Sequence, residues 1–231
     1  MLKRFLTLLA ALMLLATVAL AEGPAITLEE EKLLVVPSYG DQWVAYYVAR
    51  IKNTGTVAIQ LQDGMFQLKD KEGNELISKD WVNVFPAALK PGEEAFVCQQ
   101  EYLDSGISNE TVASHVFDIK ASTDVYKTVT LLPATAEIVL PKNPDYESRT
   151  VYATITNNTD RDLYDVTLVF VIKDTEGKLL YVDEVTAYSA GVVAGGELKI
   201  RTDLSSSLDT WLNTEEASIG SIEAFAYIEE Y

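Results

Sequence analysis

The sequence predicts an all-β protein of two tandem antiparallel β-sandwich domains behind a signal peptide. Three observations carry that expectation. Apolar and polar residues alternate with period two over stretches of strand length, the chain repeats itself at one fixed offset, and it opens on a charged and then apolar leader.

In the leader, Lys3 and Arg4 precede an apolar run from Phe5 to Leu20, and Ala19-Leu20-Ala21 closes it. That is the pattern of a secretory signal peptide. The run is 16 residues, short of the roughly 20 that a spanning helix needs. Residues 1–21 are therefore expected to be removed after Ala21, leaving a secreted or extracytoplasmic chain with no membrane span. No Cys stands near the cleavage point to carry lipid.

The chain holds 18 basic and 35 acidic residues, a net charge of −17, which becomes −19 when Lys3 and Arg4 leave and all 35 acidic residues stay. Such a chain repels nucleic acid and anionic membrane surfaces. Its acidic residues are spread out, apart from Glu29 to Glu31 and Glu229-Glu230, as on a solvated surface. Cys98 is the single cysteine, so no intrachain disulfide forms and stability must come from packed core. An exported chain with one unpaired thiol fits a bacterial protein better than a disulfide-stapled ectodomain.

Shifting the sequence by 104 residues pairs Leu33-Leu34-Val35-Val36-Pro37 with Glu137-Ile138-Val139-Leu140-Pro141, Ile51 with Ile155, Asn53 with Asn157 and Phe66 with Phe170. The same register pairs Lys69-Asp70 with Lys173-Asp174, Glu72-Gly73 with Glu176-Gly177 and Gly92-Glu93 with Gly196-Glu197. An ungapped register over about sixty columns means two copies of one unit, and a period of about 100 residues is a whole domain. The domains are placed at 22–132 and 133–231, with Pro133 at the junction, each long enough to fold alone.

Within each copy, Tyr47, Ala49 and Ile51 keep step with Val151, Ala153 and Ile155. Val166, Leu168, Phe170 and Ile172 alternate with Thr167, Val169, Val171 and Lys173. Both patterns predict strands with one face buried. Short helices or long loops are expected only at 104–114 and 205–216. Asp70-Lys71-Glu72-Gly73 and Asp174-Thr175-Glu176-Gly177 stand between apolar strands. Asp accepts backbone N–H groups there and Gly takes a positive φ, so both are hairpin corners. A calcium loop would need more oxygen ligands at alternate positions than either copy supplies.

The stretch NNTDRDLYDVTLVFVIKDTEGKLL, residues 157–180, resembles the FxLYD-type and related immunoglobulin-like domains of exported bacterial proteins. Leu163, Tyr164 and Asp165 match the signature, Arg161 stands in place of its Phe, and the first copy has Ile59-Gln60-Leu61 in the matching columns. The resemblance implies an immunoglobulin-like β-sandwich outside the cytoplasm and no defined catalytic residues.

Residues for chemistry are few. His115 is the only histidine, Cys98 sits in a strand without a basic neighbour, and no carboxylate pair has the apolar setting that raises a catalytic pKa. Gly191, Gly195 and Gly196 lie in a strand connection rather than a phosphate-cradling loop. No catalytic residue, metal ligand or cofactor is nominated. For binding, the repeat serves as an internal control, because columns shared by both copies are explained by the fold. Trp43 faces Glu147, which predicts an exposed Trp43 beside Asp41, a pairing suited to sugar stacking or a protein contact. Trp81 faces Val185 and is expected to be more buried.

Trp43, Asp41 and Trp81 are the candidate ligand-binding residues. They belong to an expected non-enzymatic binding module, with an unidentified protein or cell-envelope glycan as partner. The alternative is a carbohydrate-active enzyme or enzyme inhibitor on the same scaffold, since a fold excludes no chemistry. Intact-mass measurement on exported protein should give a chain beginning at Glu22, and a species retaining Met1 would refute the leader reading.

Overall fold

Val44-Ala45-Tyr46-Tyr47-Val48-Ala49 is an unbroken apolar run, and an extended strand of that composition has no face to give to water. In the computed structural model, described for residues 23–143, 147–213 and 218–231, this run is the centre of β2 (Trp43–Asn53), buried on both sides. The leader and its cleavage point lie outside the described residues. Among those residues no helix is long and apolar enough to cross a membrane.

Strand β2 lies between β1 (Ile26–Pro37) and β7 (Glu94–Tyr102), with the short β5 (Val84–Phe85) beyond β7. A second sheet holds β3 (Ile59–Lys69) between β4 (Glu75–Lys79) and β8 (Ser114–Ser122), with β6 (Ala88–Leu89) on the start of β3. The second half repeats the plan. β9 (Thr128–Val139), β10 (Thr150–Thr156) and β13 (Glu197–Asp203) are neighbours in that order, as are β12 (Leu179–Val192), β11 (Leu163–Asp174) and β14 (Ile219–Glu230). All these pairings are antiparallel. The order β1-β2-β7 against β4-β3-β8, and its repetition, is that of immunoglobulin-like sandwiches.

Pro133 lies inside β9. The strand pairs with β14 through Pro133 and with β10 from Ala134 onward. A residue without an N–H is tolerated where a strand changes partner.

The repeated acidic stretches are hairpin corners. Asp70 Oδ1 accepts from the N–H groups of Glu72 (3.0 Å) and Asn74 (2.8 Å), and Asp174 Oδ1 accepts from those of Glu176 and Lys178 (both 2.8 Å). Gly73 and Gly177 take φ of 85° and 81°, a region L-residues avoid. Asn53 and Asn157 are a second shared device. Each is fully buried, and its side-chain amide donates to the carbonyl of a loop residue and to that of a strand's last residue, Val57 and Leu89 in one copy, Arg161 and Val192 in the other.

The Asn main chain also corrects the repeat register. The N–H of Gly92 donates to Asn53 O, whereas in the second copy Gly195, not Gly196, donates to Asn157 O. The second copy is one residue shorter than the first between the Asp corner and the Gly corner.

Two cores result. One is internal to the first sandwich, around Tyr47, Ile51, Phe66 and Leu68. The other runs without a break from Leu34, Val44, Tyr46 and Val48 of the first half into Leu168, Phe170 and Val171 of the second. Phe96 lies 5.8 Å from Phe225 between ring centroids, and Tyr46 meets Tyr181 edge-on at 5.7 Å. The Tyr46 hydroxyl shares a 2.7 Å hydrogen bond with Ser205, which caps α1 (Ser206–Leu212). Glu30 Oε1 accepts from Leu179 N–H at 2.5 Å. Strand β11 is likewise buried on both faces, Val169 and Val171 as fully as Phe170, which corrects the one-face expectation.

Each large side chain in this shared core is worth about 1.5–3 kcal/mol of burial, so the two sandwiches are coupled energetically. Heating should therefore give one cooperative transition, with Phe96→Ala lowering stability by about 3 kcal/mol. Two separately resolved transitions in calorimetry would show the halves to be independent.

Candidate functional site

Trp43 opens β2, packs half-buried against the first core, and its carbonyl accepts from Leu103 N–H at 2.9 Å. Its exposure was expected from Glu147. That column is misleading because β10 begins only at Thr150, so Glu147 precedes the strand and bonds back to Asn143. Trp81 is the reverse case, 56% exposed. Strand β4 stops at Lys79, whereas β12 continues through Val185 to Val192, so a loop residue had been aligned with a strand residue. Asp41 is exposed in the turn between β1 and β2, next to Tyr39, which is 92% exposed. Trp43 and Trp81 belong to different segments of the first sandwich, one opening β2 and one following β4.

His115 is the second residue of β8, and its Nε2 lies 3.1 Å from Glu31 Oε2, which also accepts from the Tyr47 hydroxyl at 2.7 Å. Burial raises the Glu31 pKa, but these two hydrogen bonds bring it below the ordinary value. The group ties β1, β2 and β8 together and serves the fold. Among the described residues no three His, Cys, Asp or Glu side chains could hold a metal ion.

Asp183 in β12 lies at the junction of the two halves. Burial pushes its carboxyl up to about 6, against hydrogen bonds from Glu184 N–H (2.8 Å) and the Tyr181 hydroxyl (3.1 Å), with the Glu184 charge raising it further. Burial also pushes the Cys98 thiol well up, with Asp183 and Glu184 adding to the effect, so this cysteine is a packed thiol and no nucleophile.

The groove that brings most chemistry together lies where the connection between the halves crosses the first sandwich. It has a volume of about 310 Å³ and is lined by Gln60 at the start of β3, Asn83 and Phe85, Tyr126 and Lys127 of the connection, and Tyr227 and Glu229 of β14. Lys127 Nζ bonds Glu229 at 2.5 Å and stands over the ring of Tyr231, which stacks with Tyr126. Burial lowers the Lys127 ammonium, but Glu229 and its neighbours hold it above its ordinary value. Gln60 is 1% exposed, and its Oε1 has no hydrogen-bond partner among the described residues.

Sequence reasoning missed Gln60 and Tyr126. The repeat gave no clean signal: Gln60 occupies the column of Tyr164, but its neighbour Leu61 stands opposite Asp165, so the columns around it are not matched.

No protein-family model and no curated protein matches the chain. Among solved structures it is similar to the crystal structure of red sea bream transglutaminase, at 13% identity and a TM-score of 0.21. The match covers 78% of this chain and spans 27% of the length of that one.

The sign of the Asp183 effect follows from its raised pKa. The folded state prefers the protonated acid, so stability should fall as pH rises from about 4 through about 6. Asp183→Asn should flatten that slope and add about 1–3 kcal/mol at pH 8, read by denaturant unfolding at several pH values. A variant less stable than the parent at pH 8 would contradict the assignment.

Proposed function

We propose that the protein is an exported, non-enzymatic binding module, freed of residues 1–21, which presents its surface to a partner protein or a cell-envelope glycan. The observation that supports this reading best is Trp81, a large aromatic left 56% exposed on a loop fixed between β4 and β5 of a well-packed sandwich. Exposing an indole forfeits burial energy that the core would have used, and aromatic side chains on rigid supports are the usual anchors of recognition surfaces. Tyr39, Tyr102 and Tyr188 are also largely exposed, in keeping with a surface built for contact.

Trp81→Ala should cost less than about 1 kcal/mol of stability and remove the most acrylamide-accessible fraction of the fluorescence. It should also weaken retention of the protein on purified peptidoglycan, chitin or cellulose, or on an isolated protein partner. Retention equal to the parent on every one of these would remove Trp81 as the contact residue.

A further inference from the structure

Gln60 poses a problem that the fold does not solve. A buried amide oxygen without a donor costs free energy comparable to a lost hydrogen bond, and a single Gln→Leu change would have avoided it. The buried amides of Asn53 and Asn157 are fully engaged, and the one other buried polar atom without a hydrogen bond among the described residues, Arg50 Nε, still has the Glu29 carboxylate at 3.5 Å. The terminal amide torsion of Gln is soft, and a donor entering the groove can draw Oε1 towards itself.

The groove also states what kind of donor fits. Its two charges, Lys127 and Glu229, neutralise each other at 2.5 Å, and Glu229 further accepts from Ala87 N–H at 3.3 Å, so an ionic ligand would find no unmatched partner. What is left is an unpaired amide oxygen, the exposed Asn83 at the rim, and the part of the Tyr126 ring that its stack with Tyr231 leaves open, the residue being 54% exposed. A polyhydroxylated neutral ligand matches that set, with hydroxyls donating to side-chain amides and the apolar face of a ring lying on an aromatic. A volume of about 310 Å³ sits at the lower end of ligand sites, about 300–1,000 Å³, which suits one or two sugar residues.

We propose that this groove is a saccharide subsite in which a sugar hydroxyl donates to Gln60 Oε1 while the sugar ring lies on Tyr126. It rests on the reading of the protein as a binding module, and gives that module a ligand class and a place. Because the walls come from β3, the connection and β14, the bound sugar would touch both halves at once.

The test titrates the full exported chain with cellobiose, chitobiose and maltose, followed by saturation-transfer NMR and calorimetry. At least one sugar should bind saturably, Gln60→Leu and Tyr126→Ala should each weaken it by about tenfold or more, and Tyr126→Phe should not. Gln60→Leu should melt no lower than the parent, since it removes an unpaired polar group. Sugar binding unchanged in Gln60→Leu would overturn the subsite. So would no saturable binding of any of the three together with a crystal structure showing an ordered water donating to Oε1. Retention on peptidoglycan, chitin or cellulose that survives both Gln60→Leu and Tyr126→Ala but is lost in Trp81→Ala would overturn the subsite and leave the binding module standing.

Discussion

Strand β2 has no solvent face, and the placement of the elements around it depends on that. One side of β2 presents Ala45, Tyr47, Ala49 and Ile51 to the first sandwich's own core, and the other presents Val44, Tyr46 and Val48 to the second half. Burying a tyrosine on each side would be costly if either hydroxyl were left without a partner. Each has one: Tyr47 donates to Glu31 on β1, and Tyr46 bonds Ser205, which in turn caps α1 by accepting from Leu208 N–H. The inner tyrosine thus fixes the edge of the first sandwich and the outer one fixes the end of the second. Asp183 is the residue this arrangement serves least well, a carboxyl drawn into the junction because β12 must run there to cover β2 and β7.

How much of this the sequence shows depends on whether a signal is local. The hairpin corners at Asp70 and Asp174 were legible because Asp and Gly do the same work in any hairpin, whatever surrounds it. The alternation in β2 and β11 located the strands but mistook their setting. Continuous apolar runs, VAYYVA and LVFVI, are the mark of strands buried on both faces, and reading one face of each concealed the shared core. The candidate site suffered from the same cause. Trp43 and Trp81 were judged by column, and the columns fail where strand lengths differ: β4 has 5 residues against 14 in β12. Gln60 is ordinary in sequence and becomes informative only when burial leaves its oxygen without a donor.

The two copies also differ in a way that explains how such a stack closes. A contact between unlike faces of two equivalent units is heterologous, and it continues from copy to copy unless the end surfaces are made different. The ladder pair Val48–Cys98, covered by the second half, corresponds to Tyr152–Arg201, which lies on the outer face of β10 and β13. The pair Val169–Phe225, which covers the first half, corresponds to Met65–Asp118 on the outer face of β3 and β8. Ion pairs mark both outer faces, Arg201–Asp203 on one and Lys120–Asp63 on the other. Polar ends of this kind are how repeat proteins cap an apolar interior.

The same economy governs the edges. Strand β1 bears Glu29, Glu30 and Glu31 with a register shift between Leu28 and Glu30, and β13 carries Glu197, Lys199, Arg201 and Asp203 on one side. Charges and bulges at sheet edges disfavour pairing with another chain. With those two edges charged, Trp81 and Tyr126 stand away from them, on the connections that follow β4 and β8. The apolar surface that drives folding is consumed largely in the middle of the stack, while Trp81 and Tyr126 stand exposed on connections between strands, Trp81 between β4 and β5 and Tyr126 between β8 and β9.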